Sequence, residues 1–299
     1  MQWTQIKRVF GNAARDVSRK HTMAFAAGLS YYFVLSLFPL LIMLAAVVGF
    51  LPIPDLFNRI LATMAQVVPA DSMGLIRKIV RDVITSHPGA LTFGILATVW
   101  AASSGFAAMI EALNVAYDVP ETRPYWYTRP LAIGLTFLIG LLMVLALAVM
   151  IVGPQFGVWF ADKVHLGPAF ILLWPYLRWS VAVVFTVLAI ETLYFVAPNV
   201  RQKFLRTLPG ALLAVGGWIG LSYLLGIYFR SVAHLNKTYG TLGAGIALFV
   251  WFYWTSLAIL IGAVLNSALI QQITGGKLPL RRPPAKVKPQ PSAEPDVAA

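Results

Sequence analysis

Between Tyr31 and Ile270 the chain carries six long apolar stretches, divided by shorter polar segments. A hydrocarbon core of about 30 Å needs about 20 helical residues at about 1.5 Å each, and every stretch is long enough. The pattern predicts an all-α integral membrane protein with six transmembrane helices, at about 29–51, 90–112, 131–153, 174–196, 208–229 and 241–269. The second is the weakest, because AASSGFAA at 101–108 is small and mildly polar. The last is the longest; about thirty helical residues extend about 45 Å, so it must tilt, kink or protrude.

The segments around the spans have patterns of their own. In residues 1–28, Ile6, Val9, Phe10, Ala13, Ala14 and Val17 repeat at helical spacing, with Lys7, Arg8, Arg15, Arg19 and Lys20 on or beside the other face. This predicts an amphipathic, basic N-terminal helix leading into the first span, laid either on the inner leaflet or on the bundle itself. In the loop 52–89, Leu75, Ile76, Ile79, Val80, Val83 and Ile84 form one apolar face, and Leu56, Ile60, Leu61, Met64 and Val68 form a weaker one. Two short amphipathic helices are expected there, capping the outer mouth. From 271 to 299 the sequence turns rich in Pro and Lys, the composition of a disordered tail.

Charge gives the spans sides. The basic residues number 23 against 11 acidic ones. With the N-terminus inside, fifteen of the 23 fall in cytoplasmic segments, seven in outer loops, and Arg178 lies in the fourth span. That asymmetry is the positive-inside pattern. Dropping the second span would put the basic N-terminal and C-terminal segments on opposite faces, so six spans with both ends cytoplasmic is the consistent topology. Composition agrees: 59% of residues are hydrophobic, 11% are charged, and mean hydropathy is +0.76. The basic excess sits beside apolar spans, where orientation signals and anionic headgroups account for it; membrane lipids are the expected partners and nucleic acid is not. The first apolar run begins near Met23 and passes Leu51, too long for the core of a cleavable leader.

Candidate chemistry is sparse. There is no cysteine, and His21, His87, His165 and His234 lie far apart, so neither a metal nor a cofactor is expected. No nucleophile elbow, phosphate loop or paired acid and histidine appears, which argues against an enzyme. Carboxylates inside spans are functional hypotheses by default. Glu111 and Glu191 both fall toward the cytoplasmic ends of their spans. Either they line one inner vestibule with Asn114 and Asn266 as candidate substrate-binding groups, or they sit at headgroup depth beside Arg123, Arg201 or Arg206. Arg178 is read as a snorkelling side chain. Gly216 and Gly220 form a GxxxG, which suits close packing within the bundle or a homo-oligomer. Pro39 interrupts the first span, with Ser36 placed to satisfy a freed carbonyl; Tyr239, Gly240 and Gly243 open the last span.

Four blocks carry a resemblance: AAGLSYYFVLSLFPLLI in the first span, VWAASSGFAAMIEALNVAYDVPETRPYW through the second, VAPN at 196–199, and TYGTLGAGIALFVWFYWTSLAILIGAVLNSAL at the end. Over about residues 20–270 the chain resembles the YihY/BrkB family of bacterial inner-membrane proteins, once labelled ribonuclease BN. The resemblance implies a six-helix, multi-pass protein of the bacterial plasma (inner) membrane with both termini cytoplasmic, and a link to virulence. It implies no established activity, since the ribonuclease label is regarded as a misassignment. The family pattern falls on Tyr31, Ser36, Pro39, Asn114, Tyr117, Pro198, Asn199, Tyr239, Gly240, Gly243, Gly262 and Asn266. Of these Ser36, Pro39, Asn199, Tyr239, Gly240 and Gly243 are candidate structural or gating positions. The expectation is a transport-type protein moving a lipid, an amphiphile or an ion in support of the envelope; the alternative is a non-transporting scaffold or envelope-assembly factor.

Overall fold

In the computed structural model six long helices form from the six apolar stretches: α1 (Thr22–Phe50), α2 (Pro88–Tyr117), α3 (Tyr125–Val164), α4 (Pro168–Val196), α5 (Leu208–Ser231) and α6 (Thr241–Thr274), with one 3₁₀ turn at Phe204–Arg206. The structure describes residues 11, 13, 15–50, 88–164, 168–231, 241–276 and 278–282. The two helices expected in the 52–89 loop lie outside these residues, as do Tyr239 and Gly240. Among the described residues there is no strand, only a single bridge between Val200 and Leu280. Among the described residues five helices are long and apolar enough to cross a membrane: Thr98–Tyr117, Tyr125–Met150, Phe170–Val196, Leu208–Tyr228 and Gly245–Thr274. The part of α1 assessed in the same way, Thr22–Ser36, is a shorter apolar helix.

Neighbours in sequence are neighbours in space. Each helix packs on the next, and α6 closes the circuit on α1 while also touching α2. The outward faces are apolar, with Leu172 and Tyr223 each 72% exposed and Leu141, Val144, Leu147 and Leu224 beside them. Such faces are stable only in a nonpolar solvent. The core gathers on the inward faces of α2, α4, α5 and α6, around Leu113, Tyr117, Tyr194, Leu260, Ala263 and Val264.

Small residues set how closely the helices meet. A Cβ on Gly210 would lie 2.3 Å from the Gly262 carbonyl oxygen, and one on Gly262 would lie 2.4 Å from the Gly210 oxygen. Hence α5 and α6 touch backbone to backbone there. Gly216 and Gly220 are different; a Cβ on either meets nothing within 4 Å, so this GxxxG packs against no other helix among the described residues. At Gly153 and Gly157 the space is filled by Arg178 and Trp174 of α4, and Trp174 Nε1 donates to the Gly153 oxygen at 2.7 Å.

Helix ends explain how the basic loops meet. After Tyr117, Asp118 adopts φ 59°, Val119 N–H donates to Asn114 O at 3.0 Å, and Asp118 N–H donates to Val115 O at 3.0 Å. This is a left-handed helix stop made by a non-glycine residue. Gly275 (φ 69°) ends α6 in the same way, with Gly276 N–H on Gln271 O at 2.8 Å. Two described pieces of the segment 271–299 are ordered; the rest of the tail expected there lies outside the described residues. The chain stays helical to Thr274, and 278–282 are held against the 199–201 loop. Of the N-terminal face, Ala13 and Val17 join the core cluster, while Arg15 and Arg19 are exposed.

Candidate functional site

The ends of α2, α4 and α6 and the starts of α3 and α5 meet at one basic end of the bundle, and two polar assemblies form there. The first is a clamp. Asn114 Oδ1 accepts the Asn199 N–H at 2.8 Å, and its Nδ2 donates to Glu121 at 2.7 Å. Asn199 Nδ2 reaches Thr122 Oγ1 at 2.8 Å, and its Oδ1 accepts the Arg282 N–H at 3.1 Å. The Thr122 hydroxyl donates to the Arg282 carbonyl. Arg123, with its side chain 1% exposed, grips Glu121 through Nη2 (2.6 Å) and Nε (2.8 Å) and donates to the Ala197 oxygen at 2.7 Å. Arg281 Nη2 donates to Phe195 O at 2.8 Å. Carbonyls left over at the C-terminal end of α4 thus receive guanidinium donors. Burial alone would raise the Glu121 carboxyl, but hydrogen bonds from Arg123 and Asn114 outweigh it and hold its pKa below the ordinary 4.5. Burial, and then the nearby charge of Arg123, lowers Arg281.

The second assembly is a buried centre one turn deeper. Asn266 Oδ1 accepts the Gly210 N–H at 2.9 Å and its Nδ2 donates to the Thr207 oxygen at 2.7 Å. Asn266 therefore caps the first turn of α5 from α6, a task usually left to the residue that starts the helix. Only glycines at 210 and 262 let the two backbones come close enough. Thr207 Oγ1 lies 2.6 Å from Glu191 Oε1. Glu191 is 1% exposed and Tyr117 is fully buried. The Tyr117 hydroxyl lies beside the side chains of Asn266 and Gln202 and within the field of Glu191. Gln202 Nε2 donates to the Tyr194 oxygen at 2.6 Å. What remains is a set of buried oxygens without partners among the described residues: Tyr117 Oη, Glu191 Oε2 and Gln202 Oε1.

A third feature lies on the outside. A pocket of about 660 Å³ is lined by Arg19, Lys20, His21, Phe25, Val115, Asp118, Val119 and Pro120. At Phe25 it meets a groove of about 260 Å³ between α1 and α2, lined by Ala24, Gly28, Leu29, Tyr32, Ala108 and Glu111. Lys20 Nζ donates to Ala116 O at 3.0 Å and pairs with Asp16 at 3.3 Å; Arg19 reaches Asp118 at 3.8 Å.

The four candidate substrate-binding residues are thus divided. Glu191 and Asn266 come together around Tyr117, Asn114 belongs to the clamp, and Glu111 is exposed on the outer groove, away from Glu191. Asn199 is the hub of the clamp. Ser36 donates to Phe33 O at 2.9 Å rather than to the Leu35 carbonyl, the one that Pro39 leaves without a helical donor. Gly243 is buried in the first turn of α6. Sequence reasoning missed Gln202 and Thr207. Thr207 carried a signal, a Thr just before Leu208, Pro209 and Gly210 in the pattern of a helix start; Gln202 carried none.

A family model described as "Virulence factor BrkB" matches residues 13–287. The chain is 34% identical over 245 residues to "Putative ribonuclease-like protein YfkH" of Bacillus subtilis (strain 168), covering 82% of this chain and 88% of that one. It is 27% identical over 258 residues to a "UPF0761 membrane protein" of Stenotrophomonas maltophilia (strain R551-3), covering 82% of this chain and 56% of that one. A "UPF0761 membrane protein" of Aeromonas salmonicida (strain A449) is 23% identical over 263 residues, with 82% of each chain covered. The chain therefore spans little more than half the length of the Stenotrophomonas relative. No solved structure matches it.

Proposed function

Since the chain belongs to the BrkB virulence-factor family of membrane proteins, we propose that it is a transport-type protein of the bacterial inner membrane which moves a lipid or lipid-like amphiphile. All six helices span the bilayer, and the basic end with both termini faces the cytoplasm, as the charge asymmetry of the loops supports. One observation carries the transport reading. The pocket bearing Arg19, Lys20, His21 and Asp118 continues at Phe25 into an apolar groove with Glu111 on its wall. A charged hollow joined to an apolar one matches a headgroup and its chain.

The test is flux of a headgroup-labelled phospholipid in proteoliposomes. Wild-type protein should accelerate it, and Glu111→Gln or Arg19→Ala should slow it. Equal flux with all three proteins and with empty vesicles sinks the assignment.

A second reading is favoured by the clamp, whose polar groups are mostly engaged with one another. On that reading the protein is a non-transporting scaffold for envelope assembly, and its partners are captured by crosslinking while no lipid moves. Neither reading makes it an enzyme.

A further inference from the structure

We propose that Glu191 holds an exchangeable proton, which makes the buried centre at Tyr117, Glu191 and Gln202 a proton-binding site inside the membrane domain. The inference is independent of the amphiphile reading, because Glu111 and its groove lie elsewhere.

The argument begins at Thr207. Its Oγ1 is 2.6 Å from Glu191 Oε1 and 2.7 Å from the Phe204 carbonyl oxygen. A threonine hydroxyl has one hydrogen, so it can donate to only one of these oxygens. Both contacts are complete only when the other oxygen brings a hydrogen of its own. A carbonyl cannot, and a protonated carboxyl can. The complete arrangement has Glu191 donating to Thr207 and Thr207 donating to Phe204 O.

Charge leads to the same place. Glu191 is 1% exposed and makes no ion pair among the described residues. An isolated carboxylate at that depth is neutralised by a proton or by a cation. The groups that face it are Tyr117 from α2, Tyr194 from its own helix, Thr207 at the start of α5, and Asn266 of α6 beside Tyr117. None is a cation. Arg201, Lys203 and Arg206 in the adjoining loop are exposed and point to no bond with it.

Glu191 Oε2, Tyr117 Oη and Gln202 Oε1 are buried without partners among the described residues, and Gln202 as a residue is only half-buried in the loop. A water that reaches these atoms finds polar partners, and the proton exchanges with it. Hydronium gives its proton to the carboxylate and leaves as water; release is the reverse.

The experiment uses the full chain in lipid nanodiscs and records infrared difference spectra across pH steps in alkali-free choline buffer. A protonated-carboxyl band should appear and be lost completely in Glu191→Gln. In Thr207→Val the band should remain but shift in frequency, because the carboxyl loses the oxygen to which it donates. That shift is one a purely structural role for Glu191 would not produce. Three results overturn the proposal: no protonated carboxyl at any pH where the protein is folded; a band that persists in Glu191→Gln; or sodium or potassium, added at constant pH, moving the carboxylate signal when pH steps do not. If Glu191→Gln fails to fold, the Thr207→Val frequency decides alone, and an unshifted band then refutes the site.

Discussion

The clamp and the buried centre share two stretches of chain, yet they treat polar atoms in opposite ways. Asn114 and Asn199 serve the clamp; three residues on from each, Tyr117 and Gln202 serve the centre. Nearly every donor in the clamp meets an acceptor, while the centre leaves three oxygens without a partner among the described residues. Closed polar networks rigidify, and open ones are where exchange with water or ligand is possible. The difference teaches that one set of residues locks the helix ends so that the other can be held open. A site whose walls are tied by so many backbone bonds is preorganised.

The comparison breaks most completely at the glycine contact that walls the centre. Gly262→Val places a side chain 2.4 Å from the Gly210 oxygen and 2.5 Å from the Tyr194 hydroxyl, against atoms that cannot retreat. No folded protein is expected, and size-exclusion elution from mild detergent should show only aggregate. Next comes Asn199→Leu. It removes the buried hub that joins Thr122 and the Arg282 backbone, and sets an apolar side chain against both. A loss of about 2–4 kcal/mol is expected, read as a drop in Tm in detergent. Wild-type Tm in this variant would mean the clamp is an ornament and holds nothing.

Acid tests the same clamp with a smaller effect. The Glu121 carboxyl titrates lower in the folded protein than in the unfolded chain, so its contribution is complete above the ordinary value of 4.5. As pH falls below that value toward the folded pKa, the unfolded state takes up the proton first and stability declines. Tm should therefore fall with acidification in wild type and fall less steeply in Glu121→Gln. Parallel acid profiles in the two proteins would remove Glu121 from the clamp's energetics.

Apolar length made all six helices legible in the sequence, because a span must satisfy its backbone internally and so writes itself as a long run of greasy residues. Their ends were less legible. Tyr125–Val164 runs well past the stretch expected at 131–153, because the helix continues through Pro130 and Pro154 at the two edges of that stretch. The polar candidates divide along the same line. Asn114, Asn199 and Asn266 were visible as amides in or beside apolar spans, but spacing cannot say that each spends its bonds on the backbone of another segment. The Gly216 and Gly220 motif was visible too, and its outward aim was not, because a helix face has no address until its neighbours are placed. Glu111 and Glu191 look alike in sequence, each near the end of a span. Packing alone separates them, one exposed on a groove and the other buried beside Tyr117.

Glu191→Gln is the mildest change and the sharpest for the comparison. If the centre were a second clamp, losing a buried carboxyl would cost as much as losing Asn199. The geometry says otherwise: Oε2 has no partner to lose, and an amide of the same shape can still meet Thr207. Replacing one neutral hydrogen-bonding group by another of equal size is expected to change stability by less than about 1 kcal/mol. Thermal unfolding near neutral pH should give a Tm close to that of wild type, while the carboxyl band is gone. A loss as large as that of Asn199→Leu would make Glu191 a member of the framework, and the contrast between a locked end and an open centre would collapse into a single network.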